Sequence, residues 1–446
     1  MEKLFGTDGI RGVANRDLTP ELAYRIGRIT AWMLGQNNEN QLFVIGRDTR
    51  LSGTMLEGAL TAGINSVGGE VRQLGVISTP AVAYLTKSLE ASAGIMISAS
   101  HNPIEDNGLK IFSNSGFKLP DSQEVEIEKY YWQKNDNLPR PEGFALGQAF
   151  YDGQAVQEYF DHLKTNSASL EGLKLVIDCA HGAASRVAGE LLQQLGAEVI
   201  TIHNEPDGSR INVACGATDT ADLQQEVLNT GASLGLAFDG DADRLIAVDE
   251  KGHIVDGDAV MIICAIDMAQ KNGLKQNTLV ATVMSNGGLD ILAEKHGLKV
   301  IRTKVGDRYV LEKMIEDGYN LGGEQSGHII FSDHATTGDG LLTALKLLNV
   351  IKDQSQPLSK LASRLERLPQ VLVNQKVATK KGFHENKRIT DAIKKIEEEL
   401  GKRGRILVRP SGTETKIRVM VEASLDEDKL KEYANELADI ISKEQS

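Results

Sequence analysis

The chain has 446 residues, of which 41% are hydrophobic and 25% are charged, and this composition excludes an intrinsically disordered protein. Its formal net charge is −13, from 62 acidic and 49 basic residues, so neither duplex nucleic acid nor an anionic membrane is expected as the main partner. The three cysteines are few and lack metal-ligand spacing, which predicts reduced thiols. The N-terminus lacks an apolar segment, and no apolar run approaches the ~20 residues that span a membrane. Together these features predict a cytoplasmic protein.

A strand–helix–strand pattern occurs three times along the chain. The copies begin near residues 42, 173 and 278, and each contains a β-branched run, a turn with Gly or Ser, a stretch of helical periodicity and a second β run. Two strands joined through a helix are normally parallel, with the helix on one face of the sheet. We therefore expect an α/β fold with three related α/β domains, although the three units could also belong to one large sheet.

The C-terminal stretch has a different pattern. After Pro369 the order is strand, charged amphipathic helix, two strands around a loop and a final helix, which predicts a smaller α+β domain. Residues 136–150 contain Pro and Gly and predict a connection between the first two domains, whereas residues 249–258 predict a turn between the second and third. The expected domains are 1–150, 151–252, 253–368 and 369–446.

Two glycine-rich segments near the N-terminus contain arginines. GTDGIRG includes Arg11, and GRDTRLSG includes Arg47 and Arg50. A guanidinium group binds phosphate through two parallel hydrogen bonds, so the three residues are candidate phosphate ligands, although arginines are also common on protein surfaces. Arg11 is the first candidate among them.

A possible nucleophile follows the next apolar strand. The segment AGIMISASHNP places Ser98, Ser100, His101 and Asn102 directly after that strand. A serine at a strand end, beside His and Asn, is a candidate nucleophile. The G-x-S-x-G motif of α/β-hydrolases is absent, which disfavours acyl transfer. The segment could also be a turn with local side-chain caps.

An acidic loop lies between two later apolar strands. It contains Asp239, Asp241 and Asp243 in the segment FDGDADR. Carboxylates at i, i+2 and i+4 can converge on one cation, and an all-oxygen ligand set favours Mg²⁺ over Zn²⁺. An EF-hand is excluded because the sixth loop position is Arg244 rather than Gly. A solvated acidic turn is the alternative, but the apolar flanks favour a buried metal site.

Two further loops contain candidate substrate ligands. GEQSGH presents Glu324, Ser326 and His328, whose carboxylate and hydroxyl groups can bind a sugar while the imidazole transfers a proton. RPSGTETKIR combines the backbone amides of a Ser-Gly-Thr turn with flanking arginines, as expected of a phosphate site. Its candidate residues are Arg409, Ser411, Gly412, Thr413 and Arg418. Each loop could also be purely structural.

These segments, in this order, resemble the α-D-phosphohexomutase superfamily. The resemblance rests on FGTDGIRG, SASHNP, DGDADR, GEQSGH and RPSGTE and extends over almost the whole chain. It implies three related α/β domains and a smaller fourth domain around a central cleft. The forms MISASHNP, DGDADR and GEQSGH are most similar to the branch that acts on glucosamine phosphates. PDGSRINVACGATD also resembles that branch, except at Arg210 and Ala217.

The resemblance implies roles for the candidate residues. Ser100 matches a phosphorylated serine, and the three aspartates match ligands that hold Mg²⁺ together with it. The matching catalytic positions are Ser100, His101, Lys110, His328 and Arg11, with Lys110 and His328 in proton transfer and Arg11 at the reacting phosphate. The expected substrate contacts are Arg244, Glu324, Ser326, Arg409, Ser411, Gly412, Thr413 and Arg418.

The resemblance also implies a reaction. A phosphoserine enzyme would interconvert glucosamine 6-phosphate and glucosamine 1-phosphate through a 1,6-bisphosphate, with a hexosamine or hexose 1,6-bisphosphate as primer. The product would feed the synthesis of UDP-N-acetylglucosamine and the cell wall. The same mechanism on mannose or glucose phosphates is one alternative, and a non-catalytic sugar-phosphate sensor is another. A small sugar phosphate is the expected partner, without nucleic acid or membrane, and a homodimer is left open.

Overall fold

The computed structural model describes residues 3–6, 8–35, 41–410 and 415–445, which form four β-sheets with intervening helices. The predicted fold class, α/β domains followed by a smaller α+β domain, is confirmed. These residues form two compact units, one reaching to Thr282 and including Ile301–Ser363, the other comprising Val283–Val300 and the chain from Arg364 onwards. Within the described ranges, every helix is too short or too polar to cross a membrane.

The first sheet has seven strands, and four α-helices lie along the same part of the chain. The elements are β1 (Phe5–Gly6), β2 (Gly9–Val13), α1 (Pro20–Gly35), β3 (Leu42–Arg47), α2 (Gly53–Asn65), β4 (Glu70–Val76), α3 (Thr79–Ser88), β5 (Ala93–Ile97), β6 (Asp106–Ser113), α4 (Asp121–Tyr131) and β7 (Ala149–Tyr151). The strand order is β1-β2-β6-β5-β3-β4-β7. β3 and β4 are parallel and flank α2, as the first repeat predicts, and residues 136–150 end in β7, which pairs with β4.

β5 is a fully buried strand of this sheet. Its sequence AGIMI contains no polar side chain, and all five residues are buried. Gly94 faces Thr86 on α3, whereas Ile95 packs in a core that includes Ile26 of α1, so helices cover both faces of the strand. The segment that begins at Ser98 therefore starts from a rigid, buried strand end.

The second sheet has the order β12-β11-β10-β8-β9. Its part of the chain contains α5 (Gly153–Lys164), β8 (Lys174–Asp178), α6 (Ala188–Gln194), β9 (Glu198–Ile202), α7 (Ala221–Thr230), β10 (Leu234–Phe238), β11 (Leu245–Asp249) and β12 (Ile254–Val255). β8 is parallel to β9 and β10, whereas β10 and β11 form an antiparallel hairpin. The acidic loop connects these two hairpin strands, which are buried along their whole length.

The third sheet has four strands in the order β14-β13-β15-β16. This part of the chain contains α8 (Gly257–Gln270), β13 (Thr278–Thr282), α9 (Gly288–Lys295), β14 (Lys299–Thr303), α10 (Asp307–Asp317), β15 (Leu321–Gly323), β16 (Ile329–Phe331), α11 (Gly340–Gln354) and α12 (Leu358–Ala362). β15 and β16 are antiparallel, and the GEQSGH segment forms the turn between them.

The C-terminal sheet has three antiparallel strands in the order β17-β19-β18. Its elements are β17 (Gln370–Lys376), α13 (Lys387–Leu400), β18 (Gly404–Pro410), β19 (Lys416–Ala423) and α14 (Glu427–Glu444), in the predicted order. Side chains alternate along β19. Ile417 and Val419 lie in the core, whereas Lys416 and Arg418 are half-buried on the opposite face.

Candidate active site

Ser100 has an unusual backbone conformation. It follows β5 with φ +53° and is 1% exposed. A left-handed conformation costs a residue with a side chain roughly 1–2 kcal/mol, so neighbouring groups must hold it. The Ser100 amide donates to Ser98 Oγ at 2.9 Å, and its carbonyl oxygen accepts from Arg50 and from Asn212 Nδ2, each at 2.9 Å. The nucleophile candidate is therefore presented by a tightly held turn.

A buried ion pair supports this turn. Asp48 accepts from Arg50 Nε at 3.0 Å and from Ser98 Oγ at 2.6 Å, and both charged side chains are fully buried. Arg50 also donates to the Asn102 carbonyl at 2.8 Å. Its guanidinium thus binds the serine turn instead of a phosphate, and Arg47 pairs with Glu57. Sequence reasoning missed Asp48, although an acid beside arginines in GRDTR is a signal for such a pair.

The three aspartates converge as the spacing predicts. Asp239, Asp241 and Asp243 are buried, and one carboxylate oxygen from each lies within 4.8 Å of the others. Ala242 between them has φ +56°, a left-handed conformation that helps the loop to curl. The structure also brings Ser100 to this cluster, because its hydroxyl donates to Asp239 Oδ2 at 2.5 Å. Sequence-distant motifs therefore meet at one point.

The cluster has the properties of a cation site. Oδ1 of Asp241 and Oδ1 of Asp243 are buried without a hydrogen-bond partner in the described chain. Burial, followed by repulsion from Asp243 and Asp241, raises the pKa of Asp239 well above its usual value. Buried carboxylates of this kind need a compensating positive charge. The ligand set consists only of oxygen, so the residues fit a hard divalent cation.

Lys110 provides part of that charge. Its Nζ lies 2.9 Å from Asp241 Oδ2, 3.2 Å from Asp243 Oδ2 and 3.3 Å from Asp8 Oδ2, and the residue is 2% exposed. Burial lowers the pKa of Lys110, but the surrounding carboxylates outweigh burial and raise it well above its usual value. Lys110 is therefore an ammonium cation in this arrangement.

The ion-pair network continues beyond Lys110. Asp8 also contacts Arg11 and Lys118, and Lys118 contacts Asp307. Arg11 Nη1 reaches Asn102 Oδ1 at 3.3 Å, which places this predicted residue beside the serine turn. Sequence reasoning missed Asp8, although this residue lies in the GTDGIRG segment. Lys118 and Asp307 were also missed, because neither lies in a recognisable local motif.

His101 and Arg244 are close to the reacting centre. His101 Nδ1 is 3.4 Å from Ser100 Oγ. Burial, and then the charges of Arg244 and Arg11, lower the pKa of His101 to about 4, so its imidazole is neutral near pH 7. Arg244 Nε lies 3.7 Å from Asp243 Oδ1 and 4.0 Å from Asp239 Oδ2 and is buried without a hydrogen-bond partner among the described residues. This guanidinium can bind an incoming anion beside the serine.

The GEQSGH turn reaches the same centre through His328. His328 is buried, its Nδ1 lies 3.6 Å from Asp243 Oδ2, and its Nε2 accepts from the Gly338 amide at 3.1 Å. Glu324 accepts from the Gly306 amide at 3.0 Å. Ser326 Oγ is buried without a hydrogen-bond partner in the described chain, which leaves it available to a ligand.

Backbone contacts from two other parts of the chain hold the aspartate loop. The Ala183 amide donates to the Gly240 carbonyl at 2.8 Å, and the Gly340 amide, at the start of α11, donates to the Ala242 carbonyl at 3.0 Å. A Cβ at Gly340 would lie 2.5 Å from the Arg244 carbonyl oxygen. Gly340 is therefore required for the close approach of α11 to the loop.

Replacing Gly340 by alanine should damage the site. In Gly340→Ala the loop must shift to relieve the backbone clash, and a misplacement of about 1 Å lowers turnover by roughly 10²-fold. Turnover assays with circular dichroism of the folded variant would measure this effect. Gly58→Ala is the matched control, because a Cβ at that helical position meets nothing within 4 Å. Equal activity of both variants would show that the loop tolerates displacement.

Only part of the predicted phosphate site in the C-terminal domain lies within the described residues. Ser411, Gly412 and Thr413 lie outside the described residues. Arg409 and Arg418 are direct cross-strand partners on β18 and β19. Like charges at such positions repel each other, and an anion bound between them would relieve this repulsion. Arg418 Nε is buried and has no hydrogen-bond partner among the described residues.

Four family profiles match consecutive parts of the chain. Three are described as phosphoglucomutase/phosphomannomutase alpha/beta/alpha domains I, II and III and match residues 2–137, 157–252 and 256–368. The fourth is described as the phosphoglucomutase/phosphomannomutase C-terminal domain and matches residues 372–440. Together the profiles cover most of the sequence.

Curated relatives match over nearly the full length. A phosphoglucosamine mutase from Desulforamulus reducens is 53% identical over 442 residues, with 99% of each chain covered. A phosphoglucosamine mutase from Caldanaerobacter subterraneus subsp. tengcongensis is 55% identical over 446 residues, again with 99% of each chain covered.

Solved structures share the fold. A phosphoglucomutase/phosphomannomutase family protein from Burkholderia thailandensis superimposes with a TM-score of 0.83 at 24% identity, covering 99% of this chain and 98% of that one. The Aspergillus fumigatus N-acetylphosphoglucosamine mutase, solved in complex with GlcNAc-6P and magnesium, gives a TM-score of 0.72 at 18% identity and coverages of 99% and 96%.

Proposed function

The chain belongs to the phosphoglucomutase/phosphomannomutase family, and within it we propose a phosphoglucosamine mutase that interconverts glucosamine 6-phosphate and glucosamine 1-phosphate. The single observation that carries the chemistry is the contact between Ser100 Oγ and Asp239, beside two buried aspartate oxygens that accept no hydrogen bond in the described chain. A serine in that position can carry a phosphoryl group next to a cation. The identity of more than half of all positions to curated phosphoglucosamine mutases supports the substrate.

We assign Asp239, Asp241 and Asp243 as ligands of Mg²⁺, together with phosphorylated Ser100. The all-oxygen set supports this metal, and the Aspergillus fumigatus enzyme with the same fold has been solved with magnesium. When bound, the cation supplies charge stabilisation for phosphoryl transfer. The chain's own residues supply the remaining positive charge, because the phosphoserine adds about −1.5 to −2 to the aspartate cluster.

The proposed reaction has two transfers. First, the P–O bond at Ser100 breaks and a P–O bond to the 1-hydroxyl or 6-hydroxyl of the monophosphate forms, which gives the 1,6-bisphosphate. The bisphosphate then reorients, and its other phosphate returns to Ser100. A hexosamine or hexose 1,6-bisphosphate would prime a dephosphorylated enzyme. Because the transition state is loose, positioning and charge provide most of the catalysis.

The groups around Ser100 suit this chemistry. We propose that Arg11 and Arg244 bind the phosphoryl oxygens. The neutral imidazole of His101, which lies beside Ser100 Oγ, would orient the Ser100 side chain. Lys110 and His328 are the proposed proton-transfer residues, since both contact Asp243 at the cluster. In the first transfer the sugar hydroxyl must lose a proton as its oxygen attacks, and the leaving Ser100 oxygen must gain one. In the return transfer these roles are exchanged: the Ser100 hydroxyl loses a proton and the leaving sugar oxygen gains one.

The remaining residues would bind the rest of the substrate. We propose that Glu324 and Ser326 bind sugar hydroxyls, supported by the unpartnered Ser326 Oγ. The distal phosphate would be bound by Arg409, Ser411, Gly412, Thr413 and Arg418. The proposed substrate is thus a small sugar phosphate.

The three cysteines are free and buried, which supports the predicted cytoplasmic location. The product of the reaction would supply UDP-N-acetylglucosamine and cell-wall synthesis, and the homodimer is left open.

One comparative assay tests this function. Turnover of glucosamine 6-phosphate, glucose 1-phosphate and mannose 1-phosphate should be measured with a hexose 1,6-bisphosphate as primer. We expect the highest kcat/KM for the glucosamine substrate. A preference for mannose or glucose phosphate would establish the alternative specificity, and no turnover of any of the three would favour a sugar-phosphate sensor.

Removing Arg418 should weaken substrate binding and turnover together. In Arg418→Ala the distal phosphate loses a charged hydrogen-bond donor, worth ~1.5–3 kcal/mol, so kcat/KM should fall by about 10–100-fold. KM should rise and kcat should fall, because a loosely held sugar is misaligned at Ser100. Arg388→Ala is the control, since Arg388 is an exposed arginine of the same domain that pairs with Glu444. Unchanged constants in Arg418→Ala would place the phosphate site elsewhere.

A further inference from the structure

The N-terminus of α3 lies against the aspartate loop. Thr79, the first residue of this helix, contacts Asp241 twice. Its amide donates to the Asp241 carbonyl oxygen at 3.0 Å, and its hydroxyl donates to Asp241 Oδ2 at 2.6 Å. Both residues are 0% exposed. The two contacts connect the first sheet's part of the chain to the middle aspartate of the cluster.

The side-chain contact separates the two oxygens of Asp241. Oδ2 accepts from Thr79 Oγ1 and from Lys110 Nζ, whereas Oδ1 is buried and has no hydrogen-bond partner in the described chain. A carboxylate with one oxygen held by a short hydrogen bond keeps a defined plane. The other oxygen, which is buried and accepts no hydrogen bond among the described residues, therefore also keeps a defined direction.

Thr79 is better suited to this task than Lys110. The ammonium of Lys110 is shared among Asp241, Asp243 and Asp8, and it ends a flexible four-carbon side chain. The Thr79 hydroxyl has one proton to donate, and its χ1 is restricted by the β-branch. Its backbone is fixed by the amide contact to the same aspartate.

We propose that Thr79 is a positioning residue of the metal site, whose hydroxyl holds Oδ2 of Asp241 so that Oδ1 faces the cation. This inference rests on the proposed function, because it requires that the aspartates bind a divalent cation. Hydrogen bonds to metal ligands orient them, and their loss typically lowers metal affinity by about 10–100-fold. Both contacts of Thr79 described above are to Asp241, so its effect on the metal passes through that residue.

The experiment compares metal binding by full-length variants in one phosphorylation state, checked by intact mass. Mg²⁺ binding is measured by calorimetry and Mn²⁺ binding by electron paramagnetic resonance. Thr79→Val removes the hydroxyl with little change of shape and should weaken binding by about 10–100-fold. Thr79→Ser retains the donor and should bind nearly as wild type. In activity assays, Thr79→Val should need more Mg²⁺ for half-maximal turnover and recover much of its kcat at saturating Mg²⁺.

Thr86→Val is the matched control. Thr86 lies on the same helix, is fully buried, and donates to the Val82 carbonyl at 2.7 Å, away from the aspartates. It should lose stability without losing metal affinity. Circular dichroism verifies folding, and Thr79→Ala provides a second deletion of the hydroxyl if the valine variant does not fold.

The outcomes distinguish the inference from the proposed function. Wild-type protein that binds neither metal would refute the metal site and the proposed mechanism together. Wild-type protein that binds metal, with Thr79→Val or Thr79→Ala binding equally well, would overturn only the role of Thr79. A loss of thermal stability without a change in metal affinity would also overturn it, because it would show a purely structural hydroxyl.

Discussion

Ser100→Ala should lose turnover by on the order of 10⁴-fold or more, because the phosphoryl group then has no acceptor on the enzyme. We do not expect Ser98 to replace Ser100 efficiently, since its hydroxyl donates to Asp48 and accepts from the Ser100 amide. Intact-protein mass spectrometry should find a phosphate-sized adduct on part of the wild-type protein and none on the variant. The fold should be unaffected, because alanine keeps every backbone contact of the turn.

The control for this prediction is Ser88→Ala, which changes an exposed serine at the end of α3 and should retain both adduct and activity. Peptide mapping then decides the assignment. An adduct on Ser98, or a phosphate on Ser100→Ala at wild-type level, would be incompatible with Ser100 as the phosphoryl carrier.

Asp241→Asn should abolish most metal-dependent turnover, with a loss on the order of 10³-fold. The amide has no negative charge, so the cluster loses a strong ligand for Mg²⁺. The free energy of unfolding should change little, because the substitution also relieves repulsion with Asp239 and Asp243, and Lys110 keeps its contacts to Asp8 and Asp243. Metal calorimetry and urea unfolding would measure the two effects separately.

The wild-type protein provides the complementary test. A chelator should stop turnover, Mg²⁺ should restore it, and Zn²⁺ should substitute poorly at an all-oxygen site. Asp249→Asn is the matched control, since Asp249 is a buried acid of the same hairpin that accepts from the Lys251 and His253 amides. It should alter stability more than metal affinity. Full activity in excess chelator would contradict the metal assignment.

Much of this site could be predicted because its motifs are local. The three aspartates occupy alternate positions in one hairpin loop, so their convergence needs only a curled turn between two apolar strands. Ser100 directly follows a strand whose apolar run marks it as buried. Hydrophobic periodicity and turn chemistry act over a few residues, and they also determine the β-α-β-β-α order of the C-terminal domain.

The sequence by itself thus determined three strand–helix–strand units, the order of the elements in the C-terminal domain, the fold class and the loops that carry the reactive groups. Only the tertiary structure decided which distant groups meet: Asp8 with Lys110, Thr79 with Asp241, and Gly340 with the Ala242 carbonyl. It also decided that Arg50, an arginine in a glycine-rich turn like Arg11, is buried in an ion pair with Asp48. Such pairings depend on the order of strands in the sheets and on burial. Local sequence patterns do not encode either property, because contacts between distant segments form only when the sheets and helices pack.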